Sequence, residues 1–213
     1  KLKFSHNSSR PSISKTRLLF AVAVLSFTVY LIPGLWGAPL KLVSGFPPPD
    51  FYKIWNIEKS AKHCPHNLSC FHDYDEGMRF AKNEGKPVII DFTGWSCVNC
   101  RKMEDYVWSS PEILKRLREE YVLISLYVDD KTPLPKSELK ISETTGKKIK
   151  TVGNKWSDFQ TAVYQTNSQP YYVLLDNNGK QLAQPRGFTA EIETYKKFLD
   201  EGLCRYKKRE ETQ

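Results

Sequence analysis

Two cysteines separated by two residues, Cys97 and Cys100, hold the most obvious chemistry in this sequence. They stand in the run Thr93-Gly94-Trp95-Ser96-Cys97-Val98-Asn99-Cys100. A dithiol at this spacing closes to a disulfide and opens again by thiolate attack, so it carries two electrons with no bound cofactor. The thiolate is the attacking form, and it is favoured where free N–H groups and a partial positive charge face the sulfur, as at the start of a helix. The sequence supplies that setting. Pro87-Val88-Ile89-Ile90-Asp91-Phe92 reads as a buried strand and residues 101–108 read as a helix. The pair lies where the strand ends and the helix opens, with Ser96 as the expected N-cap. Cys97 is then the attacking sulfur and Cys100, one turn inward, the resolving one. Other uses of the spacing fit poorly. A zinc ribbon needs a second cysteine pair of similar spacing, and covalent haem needs a histidine where Arg101 stands. A purely structural bridge that closes four residues at a helix start would be a weak staple.

The elements that must hold this pair follow from pattern. Residues 74–83 read as a helix ended by Gly85 and Pro87, and 111–120 as another with Pro111 in its first turn. Residues 121–128 (Y-V-L-I-S-L-Y-V) form a second core strand. Residues 131–155 differ in character, with seven lysines, two glutamates, Pro133, Pro135, Gly146 and Gly153. They read as an exposed insertion with a hairpin turning near Thr145-Gly146. Residues 156–165 are expected to be helical, 170–175 a strand, Asn177-Asn178-Gly179 a hairpin turn and 181–186 the returning strand. Thr189 is the expected cap of a final helix over 190–203. A parallel pair joined through helices, then a hairpin and a packing helix, gives an α/β fold: a mixed sheet covered on both faces.

The net charge of +8 on 213 residues is unevenly spread. Residues 1–17 carry five bases and no acid, while everything from Lys41 onward holds 27 bases and 24 acids. No nucleic-acid partner is expected, because the basicity is mostly a tail in front of an apolar run. That run, residues 18–40, contains no charged side chain. As a helix it would reach roughly 34 Å, enough to cross a bilayer. A spanning helix is expected, with a cleaved signal peptide as the rival reading. The expected plan is a cytoplasmic basic segment at 1–17, a transmembrane helix at 18–40, a linker at 41–53, a catalytic domain at 54–204 interrupted by the insertion 131–155, and a charged tail at 205–213. The chain begins with Lys1, as expected of a processed product or the tail of a longer polypeptide.

The five cysteines, at 64, 70, 97, 100 and 204, would then sit outside the cytoplasm, where disulfides persist. The segment 54–72 is hard to assign to helix or strand. It contains His63-Cys64-Pro65-His66 and Cys70-Phe71-His72. A Cys64–Cys70 structural disulfide is the preferred reading. A metal carrier built from His63, Cys64, His66, Cys70 and His72 and a second redox pair are the alternatives, but the spacing matches no zinc pattern, so no metal is expected. Cys204 is left as a free or intermolecular thiol.

The run V-I-I-D-F-x-x-x-x-C-V-x-C-x-x-x-E resembles the thioredoxin superfamily and, within it, the C-terminal periplasmic domains of DsbD-type thiol:disulfide interchange proteins with the membrane helix before them. The resemblance covers residues 18 to about 203 and implies a thioredoxin-like fold. It implies that Asp91 is the buried acid beneath the second cysteine, taking the Cys100 proton; a strand-end aspartate bonded to backbone is the alternative. It implies that Glu104 holds the thiol pKa values up, although a solvated helix position is equally compatible with its spacing. It implies a cis bond at Gln169-Pro170 and substrate contact at Trp95, Gln169 and Pro170; a trans proline at a strand start is the alternative. Ser96 stands where thioredoxins place tryptophan, and Val98-Asn99 replaces their Gly-Pro.

The function so implied is a protein-disulfide reductase of the bacterial inner membrane, its catalytic domain in the periplasm. Its partners would be periplasmic thiol/disulfide proteins, a membrane-embedded electron-transfer domain and the bilayer itself, and no cofactor is expected. A disulfide oxidase or isomerase and a non-catalytic binding module on the same fold are the rivals.

Overall fold

The structure is a computed structural model that describes residues 14–36, 43 and 63–211. The segment 1–13, the last residues of the expected membrane helix and nearly all of the linker fall outside the described residues, as do 54–62. Helix α1, Lys15–Leu31, continues as a 3₁₀ turn over Ile32–Trp36 and has no buried residue. Lys15–Gly34 is long and apolar enough to cross a membrane, a property that an anchor and a signal sequence share.

The rest packs around a five-stranded sheet ordered β1-β2-β4-β3-β7. The central strands are β3, Val88–Thr93, and β4, Val122–Tyr127, parallel and buried at every position. β7, Tyr171–Leu175, runs antiparallel to β3 on its other side. The segment 54–72 yields two strands that its sequence pattern does not announce: β1, His63–Cys64, and β2, Leu68–Phe71. They form a tight antiparallel pair, and β2 adds to β4 in parallel. Their turn is made by His66 and Asn67, both in the left-handed region, at φ 59° and 54°.

Alternation along the strands sends successive side chains to opposite faces. Ile90, Phe92, Ile124 and Leu126 pack under α2, Tyr74–Glu84, and α5, Val152–Tyr164. Ile89, Leu123 and Leu174 pack under Met103–Trp108, the turn that follows α3, Val98–Lys102, and under α4, Pro111–Glu119, and α6, Ile192–Glu210. Each helix shows its reason locally. In α2 the Asp73 side chain accepts the Glu76 N–H and Gly85 closes the helix at φ 61°. A side chain at Gly77 would collide with Ile124, so glycine lets α2 lie close on the sheet. In α6 Tyr195, Phe198, Leu199, Gly202 and Tyr206 form the buried stripe that helical spacing requires.

Several sequence expectations need correction. α5 starts at Val152 rather than 156, because Thr151 caps it by accepting the Asn154 N–H, so the end of the insertion is helical. Within the insertion β5, Lys140–Ile141, and β6, Lys148–Ile149, form the expected small hairpin with Gly146 at φ 70°. The returning segment after Gly179 pairs with β7 through isolated bridges at Gln181 and Arg186 and is not a strand, although Leu182 and Ala183 pack into the core beside it. Thr189 does not cap the last helix. Its hydroxyl donates to the Gly187 carbonyl, and α6 begins after Glu191. α6 then runs on to Glu210, well into the expected tail, where Arg209 donates to the buried carboxylate of Asp176 at 2.8 Å. The tail is helical because that ion pair and the buried Tyr206 ring hold it down.

Candidate functional site, a disulfide at a helix start

Cys97 and Cys100 are joined as a disulfide, with Cα atoms 5.2 Å apart. β3 delivers the chain to Thr93, a short loop follows, and α3 begins at Val98. The N-cap is Cys97 itself, not Ser96. Its Sγ accepts the Cys100 N–H at 3.2 Å, so a helix N-terminal donor faces this sulfur. Cys97 is half-buried and Cys100 is 1% exposed. The outer sulfur can therefore meet a partner and the inner one cannot. α3 passes directly into a single π-helical turn, Met103–Trp108.

The loop before Cys97 is held by Asp129, just past the end of β4. Its two carboxylate oxygens accept the N–H groups of Trp95 and Ser96 at 2.9 and 3.1 Å. The Trp95 ring stacks on Tyr127 at 3.8 Å between centroids.

Asp91 is 2% exposed and stands on β3, two residues before its end, on the face opposite Ile90 and Phe92. One of its oxygens has no hydrogen-bond partner among the described residues. Burial pushes its carboxyl up to about 7, against the opposing charge of Arg101 and a hydrogen bond from Ser125. A buried carboxyl near neutrality with a vacant oxygen can take a proton from a nearby thiol and return it. Asp91 is thus a desolvated acid rather than a backbone-bonded strand end.

Glu104 is 5% exposed, which excludes the solvated-helix alternative. Its carboxylate pairs with Arg101 at 2.7 Å. Gln169-Pro170 is a cis bond. The register Phe92↔Tyr171 places Pro170 opposite the end of β3, where the cysteine loop departs. The Gln169 side chain is turned to Gln160 and Asn167.

Four residues around the site have no counterpart among the sequence candidates: Arg101, Ser125, Tyr127 and Asp129. Ser125 and Tyr127 had a usable signal, since two-residue alternation puts them with Asp91 and Thr93 on one face once β3 and β4 are paired. Asp129 had none, as it acts across 34 residues of sequence.

Cys64 and Cys70 form the second disulfide, Cα atoms 5.9 Å apart, and Cys204 is a free, exposed thiol. Ligand atoms of Cys64, Cys70 and His72 lie within 4.8 Å of one another. Both sulfurs are spent in the bridge, and it is the thiolate that binds metal. His66 faces elsewhere, its Nε2 2.7 Å from the Glu104 carbonyl, and His63 enters β1 through its backbone.

No curated protein matches the sequence significantly. Among solved structures the chain is similar to a DsbH oxidoreductase, at 22% identity and TM-score 0.43, covering 69% of this chain and 90% of that one. It is similar to a thioredoxin from Thermus thermophilus at 19% identity and TM-score 0.45, covering 63% and 86%. It is also similar to the DsbD C-terminal domain of Neisseria meningitidis in its reduced form, at 16% identity and TM-score 0.42, covering 62% and 98%. The model of the thioredoxin-like domain family matches residues 74–203, more than half of the sequence. With its Cys97-x-x-Cys100 disulfide at the start of a helix, the chain belongs to the thioredoxin-like domain family.

Proposed function

We propose that the chain is the membrane-anchored, periplasmic electron-transfer domain of a DsbD-type protein-disulfide reductase. The observation that carries this reading is a reachable Cys97 joined to a buried Cys100, with a buried carboxyl poised near neutral pH on the strand that leads to them. In the reduced form the Cys97 thiolate attacks a disulfide of a periplasmic protein, and a mixed disulfide forms as the partner's second sulfur leaves. Asp91 takes the Cys100 proton, and the Cys100 thiolate attacks the Cys97 sulfur. The partner leaves reduced, and Cys97 and Cys100 are left as the disulfide. A dithiol of a membrane-embedded domain then restores the reduced pair.

Trp95, Gln169 and Pro170 border the cysteine loop in this reading and receive the partner's backbone beside Cys97. Glu104 keeps a negative charge near the pair and restrains premature attack, while Arg101 neutralises part of it. The helix Lys15–Leu31 serves as the anchor, with the basic segment on the cytoplasmic side.

The test is trapping in cells with Cys100→Ala. Mixed disulfides on Cys97 with periplasmic thiol proteins are expected, and their absence overturns the reading. Titration of the wild-type pair against glutathione sets the direction: a strongly oxidising potential would reject a reductase in favour of an oxidase or isomerase.

A further inference from the structure

The second disulfide has surroundings that a structural staple does not require. His72 Nδ1 lies 3.1 Å from the Ser125 carbonyl oxygen. A carbonyl only accepts, so Nδ1 carries a proton, and in the neutral ring the lone pair is on Nε2. That nitrogen faces Cys70 Sγ at 3.9 Å. The ring is held in place edge-on against Tyr127 at 5.5 Å. The other sulfur, Cys64 Sγ, lies 3.3 Å from the Ser125 hydroxyl. Each sulfur thus has a group suited to its reduced form: a base beside Cys70 and, beside Cys64, a hydroxyl oxygen to which a thiol can donate.

Access is equally asymmetric. Cys64 is 3% exposed, whereas Cys70 is half-buried. Cys70 and His72 line a surface cavity of about 520 Å³, walled on its far side by Leu134 and Pro135 of the insertion and by Trp156 of α5.

We propose that Cys64–Cys70 is a second exchangeable disulfide, reduced by a protein dithiol that attacks the half-exposed Cys70, with His72 as the base and ion partner of Cys70. The partner's thiolate attacks Cys70 Sγ, a mixed disulfide forms and the Cys64–Cys70 bond breaks. Cys64 leaves as a thiolate beside Ser125 and takes a proton from solvent. The partner's second thiol gives its proton to His72 Nε2 and attacks its own mixed-disulfide sulfur. Cys70 leaves as a thiolate paired with the imidazolium. Two electrons have moved from the partner dithiol, now a disulfide, to the Cys64/Cys70 pair.

The test uses the full chain carrying Cys97→Ser, Cys100→Ser and Cys204→Ser, so its outcome is independent of the first site. Equilibration in graded dithiothreitol buffers, followed by maleimide tagging and mass spectrometry, reads the state of the pair. Reversible reduction is expected in buffers that also reduce Cys97–Cys100 of the unsubstituted chain. Once reduced, Cys70 should alkylate about tenfold faster than Cys64 at neutral pH. His72→Ala should abolish that advantage, and so should His72→Gln, which keeps a donor for the Ser125 carbonyl but has no base. A pair that stays oxidised where Cys97–Cys100 is reduced overturns the proposal. So does an unchanged Cys70 rate in a His72→Gln protein whose circular dichroism is unaltered.

Discussion

The two disulfides of this domain share one covalent chemistry and one face of the sheet, but their settings differ. Cys97–Cys100 spans three positions at the mouth of a helix, with a backbone N–H on the outer sulfur and a protonatable carboxyl on the strand that leads to the pair. Cys64–Cys70 spans six positions and ties two short edge strands together, with an imidazole on one sulfur and a hydroxyl by the other. Ser125 stands between them: it hydrogen-bonds Asp91 on one side and approaches Cys64 on the other. Tyr127 does the same with rings, stacked on Trp95 and met by the edge of His72. A cysteine pair thus takes its character from the proton-handling group placed against it, and here one wall of β4 serves both.

The sharpest break in the comparison is Cys97→Ser. In a chain that also carries Cys64→Ser and Cys70→Ser, so that no second dithiol can exchange, reduction of a model disulfide by the prereduced protein should fall to background, because the attacking sulfur is gone.

Asp91→Asn comes next. Loss of the proton acceptor should slow release of the mixed disulfide by about 10²- to 10⁴-fold, read by quenched-flow trapping. The same change should stabilise the fold in alkaline solution. The Asp91 pKa is raised from about 4 in the unfolded chain to about 7 in the folded one. Between these values the native state holds a proton that the unfolded state releases, so stability falls as pH rises and the loss is complete above 7. Urea unfolding from pH 4 to 8 should show that fall in the wild type and not in Asp91→Asn. A variant that is slower yet more stable marks a buried acid retained for chemistry; equal slopes would remove Asp91 from the site.

The double change Cys64→Ser/Cys70→Ser should cost about 2 kcal/mol of unfolding free energy, the chain-entropy expectation for so short a loop. Urea titration under non-reducing conditions measures it. No loss would deny the bridge any staple role and leave exchange as its sole use.

The smallest effect is expected from Glu104→Gln. Removing this charge should let Cys97 of the reduced protein alkylate roughly threefold faster at neutral pH, since the thiolate no longer faces a nearby carboxylate. A slower rate would reverse the role assigned to Glu104.

The amino-acid sequence determined the first site almost unaided. A buried strand, a cysteine pair and a helix in succession lie within twenty residues, and local propensity plus a two-residue spacing is enough to place a sulfur at a helix start. It determined the parallel pair β3 and β4 and the turns at Gly85 and Gly179 for the same reason, because each signal is local. Tertiary structure decided the rest. The hairpin of β1 and β2 consists of strands of two and four residues, too short to show a period, and exists because β4 offers it an edge. The placing of His72 and Ser125 beside the second disulfide depends on pairing across more than fifty residues. Asp129 beneath the cysteine loop and Arg209 on Asp176 likewise join distant stretches of chain. Such contacts leave no spacing to read, since burial and hydrogen bonding between distant segments are properties of the packed sheet and not of any window of sequence.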